Sequence, residues 1–83
     1  MDILYFAWVR ERIGTGHEEV DLPADVTDVR ALVAWLATRS AAHRSALGDT
    51  SGLRAAVDQE FVDFDAPLGN AREVAIFPPV TGG

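Results

Sequence analysis

The sequence predicts an α+β protein built from a small mixed sheet with one main helix packed on one face. Short runs of β-branched, aromatic and aliphatic residues, separated by turn residues, are typical of strands. One longer stretch changes to the helical period, and a single amphipathic helix over a sheet is an economical way to bury such faces. With 83 residues, the chain is expected to form one domain, 1–83.

The first strand is predicted at residues 3–9, "ILYFAWV", because both alternating sets of side chains are apolar. A strand buried on both faces is usually central in its sheet. The glycines of Gly14-Thr15-Gly16 suit a tight turn, after which residues 18–22 can return antiparallel. This region therefore predicts a hairpin.

The main helix is predicted from about residue 28, where Thr27 can cap the helix and Asp28 suits the positive end of its dipole. Its apolar stripe, spaced i, i+3, i+4, i+7, is Val29, Leu32, Val33 and Leu36. A second short helical piece is predicted at residues 40–47, closed by Gly48.

Three further strands are predicted in the C-terminal half. Residues 53–58 and 60–64 flank a tight Asp58-Gln59 connection, and residues 72–77 form the last strand. The predicted order is β-β-α-β-β-β. The first and last strands, both rich in apolar residues, are expected to form a parallel centre.

The charge balance argues against nucleic acid as a partner. Thirteen acidic residues against seven arginines give a net charge of −6, which repels phosphate backbones and favours a partner with a basic docking face. The absence of cysteine and lysine excludes disulfides, thiolate ligands and Schiff bases. With no signal-peptide pattern and no apolar stretch near the ~20 residues of a membrane span, we expect a soluble cytoplasmic protein with no membrane association.

Conventional catalytic or metal sites are not apparent in the sequence. His17 and His43 lie far apart without partners at ligand spacing, so they are interpreted as solvated or capping residues and no metal is expected. Asp63 and Asp65 flank Phe64 and could share a cation, but turn chemistry is the favoured interpretation.

An apolar surface is a better candidate for function. With one helix on one face of the sheet, alternation places one set of side chains on the uncovered face: Leu4, Phe6, Trp8, Ala75 and Phe77, with Phe61 as a further candidate. Arg10 and Arg12 would rim this surface. Either a partner protein docks there, or a loop or the second helical piece covers it.

The chain ends in "FPPVTGG". Pro78 and Pro79 have no N–H to extend a sheet, so they are expected to direct residues 78–83 away as a projecting tail. The last four residues reach at most about 14 Å when extended. Since Gly82 and Gly83 have no Cβ, such a tail can enter a narrow channel, although an ordinary frayed terminus has the same appearance.

Three segments, "FAWVRE", "LRAAVDQEFV" and "FDAPLGNAREVAIFPPVTGG", resemble the small subunits of molybdopterin synthase, which are β-grasp sulfur carriers of the ubiquitin-like superfamily. The resemblance extends over the whole chain. Its most specific part is "FPPVTGG", which fits these subunits better than the thiamine-pathway carriers. It implies a β-grasp fold.

The resemblance also implies a mechanism. An E1-like adenylyltransferase/sulfurylase would use ATP and Mg²⁺ to adenylate Gly83 and convert it to a thiocarboxylate, while this chain binds no cofactor. The tail would then enter the large subunit of a heterotetrameric synthase and donate sulfur to cyclic pyranopterin monophosphate, forming the molybdopterin dithiolene. Val80, Thr81 and Gly82 would provide tail clearance.

By position, the resemblance implies partner-binding roles for Phe6, Phe61, Phe77, Arg10, Pro78 and Pro79. Two alternatives remain open from the sequence. The chain could be a carrier for thiamine or cysteine biosynthesis or a protein modifier, or it could be a non-catalytic β-grasp interaction module whose Gly-Gly end is incidental.

Overall fold

The computed structural model describes residues 1–79, which contain five strands and three helices. In chain order they are β1 (Asp2–Tyr5), α1 (Ala7–Ile13), β2 (His17–Glu19), α2 (Val29–Ala37), α3 (Ala41–Leu47), β3 (Arg54–Val57), β4 (Glu60–Val62) and β5 (Glu73–Phe77). Within these residues, no helix has the length and apolar character needed to cross a membrane.

The strands form one mixed sheet in the order β2-β1-β5-β3-β4. The central strands β1 and β5 run parallel, as the sequence predicted, and every other neighbouring pair is antiparallel. This sheet with its helices is a β-grasp, so the predicted fold class is confirmed.

The predicted first strand is wrong beyond Tyr5. Phe6 is still extended, but Ala7 takes a φ of +54° and starts helix α1. The helix buries Val9 completely, and Gly14, with a φ of +97°, ends it. The predicted hairpin is therefore interrupted by a helix: β1 and β2 pair antiparallel, but Gly14 is a helix C-cap instead of a hairpin turn. The element order becomes β-α-β-α-α-β-β-β.

The two predicted helical regions are confirmed as α2 and α3. Asp28, and not Thr27, caps α2, because its carboxylate accepts the Ala31 N–H at 2.8 Å. Ser40 caps α3 in the same way through the His43 N–H. Each cap satisfies a backbone donor that the first helical turn leaves without a partner.

The core lies between the helices and one face of the sheet. Helix residues Val29, Leu32, Val33 and Leu36, which formed the predicted stripe, are completely buried there. Alternate strand residues meet them from the sheet: Ile3, Tyr5, Ala55, Val74 and Ile76. The side chains between these point to the opposite face of the sheet.

Candidate functional site

The candidate site begins on the sheet face opposite the core. Strand pairing places Leu4 beside Ala75, Ala75 beside Ala56, and Ala56 beside Phe61, so these four form a row across four strands. The two central members are small and lie low in the sheet, while Phe61 on the edge strand is 84% exposed. The row therefore has a floor of alanines and an aromatic wall.

This arrangement leaves an apolar hollow of about 410 Å³, here called the sheet-face hollow, lined by Leu4, Phe6, Ala56, Gln59, Phe61, Glu73, Ala75 and Phe77. The rings of Phe61 and Phe77 are 5.6 Å apart, centroid to centroid, and support one another. Phe6, 48% exposed, stands on the other side. Of the sequence-predicted surface, Leu4, Phe6, Phe61, Ala75 and Phe77 are thus brought together.

Trp8 does not belong to the sheet face, because its residue lies in α1 and not in the first strand. It lines a second apolar hollow of about 680 Å³, here called the tail-exit hollow, with Phe6, Ala7, Gly52, Phe77, Pro78 and Pro79. The Arg12 guanidinium lies 4.8 Å from the centre of the Trp8 ring. Phe6 and Phe77 line both hollows, so the two form one continuous surface around the end of β5.

Arg10 lines neither hollow. Its side chain lies against Gly16, where an added Cβ would come within 3.1 Å of the Arg10 Nε. Pro78 and Pro79 lie at the end of β5 and line the tail-exit hollow. The residues assigned to the tail itself, Val80, Thr81, Gly82 and Gly83, lie outside the described residues.

A third hollow, of about 290 Å³, adjoins the β4 edge and is lined by Arg54, Ala55, Phe61, Val62, Phe77 and Pro79. Arg54 and the floor alanine Ala56 were not predicted from the sequence as part of this surface. Strand pairing is the signal for both, because Arg54 pairs with Phe77 and Ala56 with Ala75. Neither residue is distinctive until the register of β3 on β5 is known.

A buried polar network lies on the core side of the sheet. The Tyr5 hydroxyl donates to a Glu18 carboxylate oxygen at 2.7 Å, and His43 Nε2 lies 2.8 Å from the same oxygen. His43 Nδ1 lies 2.7 Å from Ser40 Oγ. His43 is 8% exposed, so its interpretation as a solvated residue is wrong, although its backbone N–H does take part in a helix cap.

The network changes the acidity of two of its groups. Burial, together with the hydrogen bond and charge of Glu18, raises the pKa of the Tyr5 hydroxyl, which therefore stays protonated and donates. Burial alone would raise the pKa of Glu18, but hydrogen bonds from His43 and Tyr5 outweigh it and lower that pKa below its ordinary value. The network joins β1, β2 and α3, and none of its residues lines any of the three hollows.

The remaining polar candidates make ordinary surface pairs. His17 Nε2 lies 3.0 Å from Asp2 Oδ1, and Arg30 donates to Asp65 Oδ1 at 3.0 Å. The carbonyl of Asp63 accepts the Ala66 N–H, which agrees with the turn interpretation. Residues 1–79 contain no group of three or more histidines and carboxylates placed to hold a metal ion.

Comparison with known proteins gives consistent results. The chain is 49% identical over 81 residues to the molybdopterin synthase sulfur carrier subunit of Escherichia coli, covering 98% of this chain and 96% of that protein. It is 32% identical over 83 residues to the protein of the same name from Haemophilus influenzae, covering 100% and 99%. SAMP1 from Haloferax volcanii, a solved structure, superposes with a TM-score of 0.76 at 27% identity, covering 100% of this chain and 98% of that one.

The sequence also matches the model of the ThiS family over residues 3–83. Because this match covers nearly every residue and agrees with a relative 49% identical over 98% of the chain, the protein belongs to the ThiS family.

Proposed function

We infer that this protein is the sulfur carrier subunit of a molybdopterin synthase. The observation that carries this inference is the 49% identity, over 98% of the chain, to a protein of that name. The aromatic surface around the end of β5 supports it, because a carrier must present its C-terminal segment to another protein. The alternatives of a thiamine or cysteine carrier, a protein modifier or a simple interaction module are not favoured by the relatives' names.

The reactive group we propose is the α-carboxylate of Gly83. A carboxylate is a poor electrophile, and attack of its oxygen on the α-phosphorus of ATP, with departure of pyrophosphate, makes an acyl-adenylate. A sulfide-level nucleophile such as hydrosulfide then attacks the acyl carbon, AMP leaves, and the thiocarboxylate forms. We propose that an E1-like enzyme performs both steps and binds the ATP and Mg²⁺ itself.

Delivery of the sulfur requires a large subunit that takes up the tail. Fixing any four-residue segment in a single conformation costs on the order of 4 to 8 kcal/mol of backbone entropy, and burial of the sheet-face hollow is the proposed source of free energy for uptake of the tail. The exposed rings of Phe6 and Phe61 are suited to this docking. Inside the large subunit, the thiocarboxylate sulfur would replace an oxygen substituent on a carbon of cyclic pyranopterin monophosphate, and water would then cleave the bond between that sulfur and the acyl carbon, which restores the Gly83 carboxylate.

Three details remain proposals. Val80, Thr81 and Gly82 would provide clearance in the partner's channel, and Arg10 would contact the partner beside the aromatic surface. The location would be cytoplasmic.

Deletion of Gly83 tests the proposed chemistry. It removes the reactive carboxylate position while leaving residues 1–79 intact, so molybdopterin formation should be lost while the melting temperature and affinity for the large subunit change little. Gly83→Ala is the companion variant, since it keeps the carboxylate but adds a Cβ, and its sulfur transfer should be slowed.

The wild-type chain isolated from cells should also contain a fraction heavier by the mass difference between sulfur and oxygen, located at the C-terminal residue by mass spectrometry. Undiminished molybdopterin formation by the deletion variant would contradict the carrier mechanism.

A further inference from the structure

Trp8 has a large, partly exposed aromatic side chain that does not line the sheet-face hollow. It is 36% exposed on a seven-residue helix, and it lines the tail-exit hollow together with Pro78 and Pro79. This hollow is larger than the sheet-face hollow, about 680 Å³ against about 410 Å³, and the lining residues of both include Phe6 and Phe77. A protein docked on the sheet face therefore has a continuous apolar path to Trp8.

The backbone before Trp8 holds it in this position. Ala7 has a φ of +54°, a conformation that costs an alanine about 1 to 2 kcal/mol. The turn it makes places Phe6 at the end of the strand and Trp8 in the first turn of α1, so that both line the same hollow. Unfavourable backbone conformations concentrate at sites of function, where the surrounding structure maintains them.

Arg12 adds a charge to this surface. Its guanidinium lies 4.8 Å from the centre of the Trp8 ring, a cation–π distance, and it makes no ion pair with residues 1–79. The stacked pair restricts both side chains before a partner arrives, which lowers the entropy lost on binding. A partner surface with an apolar side chain for the hollow and a carboxylate for Arg12 fits this pair.

The tail-exit hollow is continuous with the sheet-face hollow, the proposed docking surface of the large subunit, and this continuity favours that subunit as the partner. The length of the tail limits how far from this hollow the partner can bind Gly83. If Gly83 is the delivered group, residues 80–83 separate it from Pro79 by at most about 14 Å. A protein that encloses Gly83 in a catalytic pocket must therefore bring the mouth of that pocket close to Pro79, and Trp8 lines the same hollow as Pro79.

We propose that Trp8, stacked on Arg12, is a specificity-determining contact for the large subunit, which places an apolar side chain in the tail-exit hollow and a carboxylate beside Arg12. This proposal rests on the proposed function and goes beyond it by assigning a second docking surface at the base of the tail. The surface differs from the sheet face in depending on charge as well as apolar contact.

The chain contains a matched control pair. Trp35 on α2 and Arg39, two residues past the end of that helix, have the same i, i+4 spacing, with the Arg39 guanidinium 5.1 Å from the Trp35 ring centre, but neither lines any of the three hollows. If the loss of any Trp–Arg pair weakens binding of the large subunit, substitutions in both pairs should raise Kd. If only the pair at the docking surface matters, only substitutions of Trp8 and Arg12 should raise Kd.

The test measures binding of the full-length chain to its large subunit by calorimetry. Trp8→Ala should raise Kd about tenfold or more, as expected for a tryptophan at an interface centre. Arg12→Gln should raise Kd by about threefold to tenfold at low salt and less at high salt, because a charge pair at an interface rim is screened. Arg39→Gln should leave Kd within about twofold of the wild type.

A second measurement does not depend on removing Trp8. In Trp35→Phe, Trp8 is the only tryptophan, and saturation with large subunit should shift its emission to shorter wavelength and protect it from acrylamide quenching. If the large subunit binds and sulfur is transferred while Trp8 stays equally quenchable and Trp8→Ala binds normally, this proposal is overturned and the proposed function stands. If the large subunit does not bind the wild type and no sulfur reaches the pterin precursor, both fail.

Discussion

Glu18 is the residue on which the buried polar network depends, since one of its oxygens contacts both Tyr5 and His43. Its side chain is 18% exposed, so water provides little alternative hydrogen bonding. The nearby Arg39 charge also lowers the pKa of Glu18. Ionised Glu18 therefore stabilises the folded state more than protonated Glu18 does.

This predicts an acid-sensitive contribution to stability. A carboxyl whose pKa is lower folded than unfolded stabilises the protein fully above its ordinary value of 4.5, and that contribution is lost as pH falls through the folded value. In Glu18→Gln the free energy of unfolding, measured in urea, should depend less on pH below about 4.5 than in the wild type. Equal pH dependence in the two proteins would contradict this role.

Tyr5→Phe tests the same network by removing the hydroxyl that donates to Glu18. Loss of the hydroxyl should lower the free energy of unfolding at pH 7 by about 2 kcal/mol, because a hydrogen bond to a charged group is lost in a buried position. Urea denaturation provides the measurement. The sequence predicted that Tyr5 lies in a strand, but not this network, since residues 5, 18 and 43 meet only after three elements have packed.

Among the elements, the β3–β4 hairpin has an unusual turn. Both connecting residues have positive φ, +47° at Asp58 and +71° at Gln59, a combination that suits Asp-Gly better than Asp-Gln. The Asp58 carboxylate also accepts the N–H groups of Arg72 and Glu73 at 3.0 Å, which fastens the turn to the start of β5. Asp58 thus has a structural role that a glycine could not fill.

Gln59→Gly should therefore raise the free energy of unfolding, by up to about 1 kcal/mol, because it removes the cost of a left-handed conformation while keeping Asp58. Gly14→Ala is the control of opposite sign, since it introduces the same cost at a φ of +97° with no nearby atom in contact. Thermal denaturation distinguishes the two. A lower melting temperature for Gln59→Gly would show that the glutamine side chain contributes more than its backbone costs.

The elements also show what the sequence could predict. The Asp58-Gln59 connection was predicted because apolar runs flank two polar residues. Helix α2 was predicted because its apolar residues keep the helical spacing i, i+3, i+4, i+7 throughout. Helix α1 was missed because "ILYFAWV" has strand-forming residues to its end, and the sequence gives no local sign that Ala7 adopts a positive φ. Packing of Val9 in the core overrides that preference.

At the scale of the whole molecule, the sheet separates stability from docking. The middle of the core face is buried under the helices, whereas the opposite face holds the sheet-face hollow and its exposed rings. Alternation in the sequence was sufficient to assign Leu4, Phe6, Ala75 and Phe77 to that face. It was not sufficient for Trp8, because the alternation of a strand does not apply there: β1 ends at Tyr5, and Trp8 lies in α1.

This separation predicts that Phe61→Ala leaves the fold nearly unchanged. Phe61 is 84% exposed on a three-residue edge strand, so its loss should alter the free energy of unfolding by less than about 0.5 kcal/mol. Its loss should still weaken binding of the large subunit, because the exposed ring forms a wall of the sheet-face hollow. Phe77→Ala, at the centre of the surface, should cost roughly 2 kcal/mol of binding free energy.

Phe64→Ala is the matched control, because Phe64 packs partly buried against the core and lines none of the three hollows. It should lower the melting temperature, while the folded protein keeps wild-type affinity for the large subunit. Phe61→Ala should do the reverse, with an unchanged melting temperature and a weaker affinity. Calorimetry of binding and thermal denaturation of each variant provide the comparison. If Phe61→Ala and Phe77→Ala both bind the large subunit with unaltered affinity, the sheet face is not the docking surface, and the free energy for uptake of the tail must come from elsewhere.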